Sequence, residues 1–174
     1  MARAERIRLG IIGRAHGLGG EFHLFVPRML DAALPKLRRV FLTPLGGERR
    51  DAPVLGVRRH GPAFLVRLGG VQDRTAAEGI RGASVDADRG DLAAAGCEGP
   101  FIEDLVGLEV ATREGRSLGT LEEVLEYPGG DLYRIGSGRA EILLPAVPAI
   151  ILEIDWEAGR MLVAPPPGLL EINS

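Results

Sequence analysis

Three histidines and one glutamate within the first 60 residues carry side chains suited to metal binding or acid–base catalysis. They are His16, Glu21, His23 and His60. Imidazole nitrogens and carboxylate oxygens are common zinc ligands, and an ion held by such groups can activate water for hydrolysis. Their spacing matches no compact ligand motif, and barrel strands can bring any three residues together by chance. A hydrolase or metal enzyme built around His16, Glu21 and His23 is kept as a competing hypothesis, but the sequence itself predicts no metal site and no cofactor.

A second candidate for chemistry is the glycine-rich segment from Gly13 to Glu21, which follows the first predicted strand. Closely spaced glycines can cradle a phosphate, but the residues after this segment are β-patterned, so no helix N-terminus would be available to hold a pyrophosphate. No GKS or GKT follows either. The glycines are expected to supply positive φ angles for a tight strand connection. Arg14 and His16, held on this exposed turn, could contact RNA phosphate or a protein partner.

The usual catalytic motifs are not found elsewhere in the sequence. There is no GxSxG, HExxH or CxxC. Glu122, Glu123 and Glu126 are acidic, but an exposed acidic strand face is the ordinary explanation for such a group. We therefore interpret the chain as a binding protein and not as an enzyme.

Composition indicates a soluble protein of the reducing cytoplasm. Hydrophobic residues make up 45% of the chain, and Cys97 is the single cysteine, so no internal disulfide framework is expected. The charged N-terminus leads into no apolar run of the kind a secretory signal needs. The longest apolar run, residues 142–152, contains two prolines and is too short to cross a bilayer.

Charge divides the chain into two parts. Residues 1–100 contain 16 basic and 11 acidic residues, whereas residues 101–174 contain 5 and 13. Between them, the Ala- and Gly-rich stretch Leu92–Leu105 is predicted to form neither helix nor strand and to act as a hinge. The expected domains are residues 1–92 and 101–174, joined by a linker at 93–100. A basic part joined to an acidic part suggests two surfaces with different partners.

Short alternating segments separated by glycine and proline predict a mainly β protein made of two small antiparallel barrels. Residues 83–86 are expected to close the first barrel, and Asp73 to cap a short helix. Leu118–Tyr127 fits both periodicities, but its flanking glycines and proline favour a strand. Further on, alternation predicts that one strand face carries Ile150, Leu152, Ile154 and Trp156.

Six segments, taken together and in order, resemble the family of the bacterial ribosome maturation factor RimM. They are GRAHGLGGE, RLGGVQDRTAAEGIRGASV, DLVGLEV, LGTLEEVLEYPGGDLYRI, EILLPAVPAIILEID and AGRMLVAPPPGLLE. The resemblance implies an N-terminal barrel like the second domain of translation elongation factors, followed by a PRC-barrel. It also implies a non-enzymatic role in maturing the head of the small ribosomal subunit. The partners would be ribosomal protein nineteen, the 30S subunit precursor and the adjoining rRNA, with no membrane; the alternative is a PRC-barrel adaptor without a ribosomal role.

The resemblance also suggests which residues make contacts. The family begins its second domain with an aromatic pair, usually two tyrosines, linked with ribosomal-protein binding. Phe101 and Ile102 stand there in this chain, so apolar docking is retained and both hydroxyls are lost. Truncating a buried aromatic anchor at a hot spot commonly costs about 2 kcal/mol, but Phe101 could equally pack a domain interface. The candidate ribosome or rRNA contacts are Arg14, His16, Gly17, Gly20 and Glu21, and the candidate contacts of the second barrel are Asp131, Pro145, Val147 and Pro148.

Overall fold

Two units, each built on six strands, make up this mainly β protein in a computed structural model that describes residues 3–138 and 140–172. Ala4–Gly99 forms the first unit, and the second consists of the described residues from Pro100 onward together with Arg3. The boundary falls at Gly99 and Pro100, within the stretch proposed as the linker. Among the described residues, no helix combines the length and the apolar character needed to span a membrane.

The first unit is a closed barrel with the strand order β1-β2-β5-β4-β3-β6. The strands are β1 (Arg6–His16), β2 (Glu21–Leu24), β3 (Arg39–Thr43), β4 (Arg50–His60), β5 (Ala63–Leu68) and β6 (Ser84–Asp88). Alternation buries Ile7 and Leu9 of β1 while Arg8 points outward. Strand β6 pairs with both β1 and β3, which confirms the predicted closing strand.

Short helices connect the barrel strands. Two 3₁₀-helices, Arg28–Leu30 and Leu34–Lys36, lie between β2 and β3. Helix α1 (Arg74–Gly79) is preceded by the N-cap residue Asp73, whose Oδ1 accepts a hydrogen bond from the Ala76 N–H at 2.8 Å. This is the predicted cap, and it satisfies one backbone donor that the first helical turn cannot satisfy itself.

The prediction that Leu92–Leu105 contains no regular structure is wrong. Helix α2 (Arg89–Ala94) enters this stretch from upstream and is anchored by buried Leu92, and helix α3 (Ile102–Leu105) occupies its end. The Asp104 carboxylate accepts the Phe101 N–H at 2.9 Å, while the Asp104 N–H donates to the Phe101 carbonyl oxygen. These helices have six and four residues, too few for helical periodicity to be recognised in a sequence.

The second unit is a six-stranded sheet with the order β10-β9-β8-β7-β12-β11. Its strands are β7 (Glu109–Thr112), β8 (Ser117–Leu125), β9 (Leu132–Ser137), β10 (Ala140–Pro145), β11 (Ile151–Asp155) and β12 (Arg160–Val163), and helix α4 (Leu169–Ile172) follows. Val110, Leu121, Ile135, Leu144 and Met161 lie in its buried core. The strand predicted at Leu118–Tyr127 is confirmed by β8.

Two details of the second unit differ from the expectation. Strand β12 pairs with β7 in parallel, so the unit is not wholly antiparallel. This pairing joins residues about fifty positions apart, which no local pattern reveals. In β11, the pairing register shifts between Ile151 and Glu153, and Leu152 is 38% exposed although Ile150 is buried. This irregularity leaves Leu152 off the predicted face, whereas Ile154 and Trp156 beyond it still pack against the core.

Candidate functional site

The turn between β1 and β2 presents most of the candidate contact residues of the first unit. His16 and Glu21 are partners at the ends of the two strands, and Gly17 and Gly20 between them have φ angles of 63° and 80°. Leu18 is 81% exposed at the tip, yet its carbonyl oxygen accepts the Arg74 N–H at 3.1 Å. The turn is therefore attached to the start of α1 and holds a fixed position on the barrel.

Glu21 is oriented by a bidentate ion pair with Arg58 of β4. The Arg58 Nε–H and Nη2–H donate to the two Glu21 carboxylate oxygens at 3.0 and 2.9 Å. These hydrogen bonds, followed by the nearby positive charges of Arg58, His16 and Arg67, lower the pKa of Glu21 below its ordinary value. The pair is on the surface, so its main consequence is a defined orientation of both side chains.

Replacing Arg58 with glutamine is expected to raise the pKa of Glu21 toward its ordinary value, measured by an NMR titration of the carboxyl carbon. Because folding lowers this pKa, the ion pair contributes stability above the unfolded-state pKa of Glu21 and loses it as pH falls through the folded-state pKa. Arg59→Gln is the control, because Arg59 binds Asp31 at 2.8 Å. Equal titration curves in Arg58→Gln and the unmodified protein would contradict this assignment.

The three histidines, which the sequence offers only as widely spaced residues, come together beside this turn. Their ring centroids lie 5.1 Å apart for His16 and His60, 5.3 Å for His23 and His60, and 5.5 Å for His16 and His23. His23 is buried, and its Nδ1 lies 3.0 Å from the Arg14 carbonyl oxygen. In the part of the chain that is described, no group of three or more His, Cys, Asp or Glu side chains is in position to hold a metal ion.

In the second unit, the candidate residues lie on two neighbouring loops. Asp131 precedes β9, and its carbonyl oxygen accepts the Ala146 N–H at 2.9 Å, so the β8–β9 turn contacts the β10–β11 loop. Pro145 pairs with Leu132 at the ends of their strands, and the exposed residues Val147 and Pro148 follow. The structure thus brings together all four residues predicted here, and we call these two loops, residues 126–131 and 145–150, the loop surface.

The loop surface is acidic. Partial burial, and then the charge of Asp131, raise the pKa of Glu126. Burial and the same Asp131 charge also raise the pKa of Tyr133. Because the Asp131 charge disfavours ionisation of Glu126, a cation bound between the two side chains would favour the ionised carboxylate of Glu126. The exposed ring of Tyr127 lies on the same turn.

A second acidic group occupies the exposed face of β8, β9 and β10. Arg134 lies between three carboxylates, with its Nη2 2.8 Å from Glu123 and longer contacts to Glu122 and Glu141 at 3.6 and 3.8 Å. One guanidinium neutralises only one of the three charges. The acidic residues that the sequence assigned to a strand face therefore leave that face negative.

Phe101 is only 1% exposed, whereas Ile102 is half-buried. The Phe101 ring is therefore inside the folded chain, and the partly exposed residues of α3 are Ile102 and Glu103. Asp104, which caps α3, is also buried. Neither its burial nor its capping role is visible in the sequence, because both depend on how α3 packs.

The protein consists of two β domains, a closed six-stranded barrel and a second unit with a six-stranded sheet. Its candidate sites are surface residues on the turns of these domains, as in a binding protein. The sequence models of the RimM N-terminal domain and the RimM PRC barrel domain match residues 7–92 and 102–169. The chain belongs to the RimM family.

Individual relatives extend over nearly the whole chain. The ribosome maturation factor RimM of Frankia alni is 38% identical over 183 residues, covering 97% of this chain and 99% of the relative. That of Anaeromyxobacter dehalogenans is 41% identical over 165 residues, covering 95% and 98%. A crystal structure of a 16S ribosomal RNA processing protein RimM from Pseudomonas aeruginosa is 27% identical and covers 91% of this chain and 96% of its own, with a TM-score of 0.45.

Proposed function

We propose that this protein is a maturation factor for the head of the small ribosomal subunit. It binds a basic ribosomal protein of the head, ribosomal protein nineteen, together with the adjoining rRNA of the 30S precursor, and it acts without catalysis. The observation that carries the proposal is the identity of about two residues in five, over nearly full length, with proteins named ribosome maturation factors.

Charge supports a division of labour between the two units. Residues 101–174 have an excess of eight acidic residues, and two of their carboxylates, Glu126 and Asp131, are clustered on the loop surface. A negative surface attracts a basic protein and speeds its association. Residues 1–100 have an excess of five basic residues, which suits contacts with RNA phosphates. The turn with Arg14, His16, Gly17, Gly20 and Glu21 is the proposed rRNA or ribosome contact.

We assign the loop surface, with Asp131, Pro145, Val147 and Pro148, to the ribosomal protein. Proline and valine side chains offer apolar contact at low conformational cost, and the two carboxylates beside them select a cationic partner. Ile102 on α3 is proposed as a second apolar contact. Phe101, being buried, would act by holding α3 in place.

The charge assignment predicts that the double variant Glu126→Lys/Asp131→Lys binds the purified ribosomal protein about tenfold more weakly at low salt, with the difference shrinking as salt screens the charges. Fluorescence anisotropy measures the affinity. Glu114→Lys is the control, because its turn lies at the opposite end of β8 from the loop surface. If the double variant and Glu114→Lys showed the same affinity and salt dependence, the loop surface would be the wrong binding site.

The function itself is tested by sucrose-gradient fractionation of cells that express tagged protein at moderate salt. Enrichment with free small subunits, and not with complete ribosomes, supports a maturation factor. A well-expressed protein absent from every ribosomal fraction would instead indicate a PRC-barrel adaptor without a ribosomal role.

A further inference from the structure

Alternation along β2 gives the first barrel an outer face that carries both rings and charges. Phe22 and Leu24 are fully buried, so Glu21, His23 and Phe25 lie on the opposite side of the strand. The Glu21 carboxylate makes its ion pair with Arg58 on this side. The outer face of β2 therefore places a paired carboxylate, an imidazole and a phenyl ring in one row.

Phe25 is an exposed aromatic ring held in place by the barrel. It follows the last residue of β2, yet its carbonyl oxygen still lies against β1, where a side chain on Gly10 would overlap it. The ring is 58% exposed, and Ile11, next to Gly10 in β1, is also exposed. The backbone of this position is fixed while the ring remains open to a ligand.

Three imidazole rings continue this surface. The ring centroids of His16, His23 and His60 lie within 5.5 Å of one another. His23 is buried, His16 is half-buried and His60 is exposed. His23 and Phe25 are two positions apart, which corresponds to about 6.6 Å along a strand. We call these three histidines and Phe25 the ring face.

Two arginines with no ion-pair partner among the described residues border the ring face. The carbonyl oxygen of Arg14 lies 3.0 Å from His23 Nδ1, and Arg67 of β5 is near enough to Glu21 to help lower its pKa. Both arginine side chains are exposed. Because Arg58 already holds both Glu21 oxygens, the guanidinium groups of Arg14 and Arg67 are available to anions.

We propose that the ring face binds an unpaired segment of RNA. Bases stack on Phe25 and on the outer imidazoles of His16 and His60, and Arg14 and Arg67 bind the phosphates. Exposed rings bordered by cations are the combination that single-stranded nucleic acid needs, since every base has a face that can stack. A duplex hides those faces, which favours loops and bulges as the target. The inference rests on the proposed rRNA contact of the β1–β2 turn and extends that contact to Phe25, His60 and Arg67.

The test is fluorescence anisotropy of the whole protein with a labelled RNA single strand of about 12 nucleotides, and with the same strand annealed to its complement. We expect saturable binding of the single strand and binding of the duplex about tenfold weaker. Phe25→Ala should lower the affinity for the single strand about tenfold, whereas Phe25→Trp should retain it, because a larger ring still stacks. Leu152→Ala is the control, since this exposed apolar side chain belongs to the second unit.

Two further measurements separate stacking from a structural effect. A 2-aminopurine base in the RNA should change its fluorescence on binding the unmodified protein and not on binding Phe25→Ala. Arg67→Gln should reduce the slope of log affinity against log salt by about 0.7, the contribution of one phosphate contact to a single strand. Thermal unfolding checks that each variant is folded.

Equal affinity for single strand and duplex would overturn the proposal, and so would unchanged affinity in a folded Phe25→Ala variant. Absence of RNA binding would overturn it too. If such a protein still fractionated with free small subunits, the maturation function would stand and the ring face would be assigned to a protein partner. Conversely, RNA binding that depends on Phe25 in a protein absent from every ribosomal fraction would support the ring face and contradict the ribosomal function.

Discussion

Replacing Phe101 with alanine is expected to lower the free energy of unfolding by about 3–5 kcal/mol, because truncating a buried phenylalanine removes its transfer free energy and leaves a cavity. The ring is 1% exposed, so nearly all of its surface is lost to packing. Both hydrogen bonds between Phe101 and Asp104 that use the Phe101 backbone remain possible in alanine. The loss therefore reports on the ring and not on the start of α3.

Urea unfolding followed by circular dichroism measures this loss, and the fluorescence of Trp156, the single tryptophan, reports on the second unit separately. Ile102→Ala is the matched control: it truncates the next side chain, which is only half-buried, and should cost about 1–2 kcal/mol. A loss below about 1 kcal/mol for Phe101→Ala would show that the ring is not tightly packed.

The same pair of variants separates two proposed roles of this segment. If Ile102 contacts the ribosomal protein and Phe101 only holds α3, folded Ile102→Ala should bind the ribosomal protein more weakly. Folded Phe101→Ala should then lose binding affinity only to the extent that it lowers the free energy of unfolding. If Phe101→Ala instead lost binding while its stability was unchanged, the ring itself would be the anchor.

Replacing Gly20 with alanine is expected to destabilise the first unit by about 3 kcal/mol, because the new Cβ is disfavoured both by the local backbone conformation and by its surroundings. Gly20 has φ +80°, where L-residues are strained. A Cβ built there would stand less than 3.0 Å from the Val71 carbonyl oxygen, which is backbone and cannot rotate away. The loop before α1 would have to move.

Gly17→Ala provides the control within the same turn. Gly17 has φ +63°, but no atom lies within 4 Å of the added Cβ, so this variant should cost only about 1–2 kcal/mol of backbone strain. Urea unfolding of both variants gives the difference directly. Equal losses would show that the β1–β2 turn is not packed against the loop that contains Val71.

The candidate contact turns were partly predictable. The glycines of the β1–β2 turn and the Asp73 cap follow from local rules, since a positive φ or an unsatisfied helix N–H favours particular residue types at particular positions. The hydrogen bond from the Arg74 N–H to the Leu18 carbonyl oxygen did not follow, because it joins two segments more than fifty residues apart. The burial of Phe101 was likewise open, since an apolar residue after a proline fits both an exposed anchor and a packed core.

The sequence by itself determined that the chain is mainly β, that its two parts carry opposite charge, and that its motifs are those of the RimM family. These properties depend on residue type and on near neighbours, so alternation, turn residues and ordered motifs are sufficient to reveal them. The tertiary structure alone decided the parallel pairing of β7 with β12, the convergence of His16, His23 and His60, and the contact between the Asp131 turn and the Ala146 loop. Each of these joins distant segments, and their spacing along the chain contains no information about the strand order that brings them together.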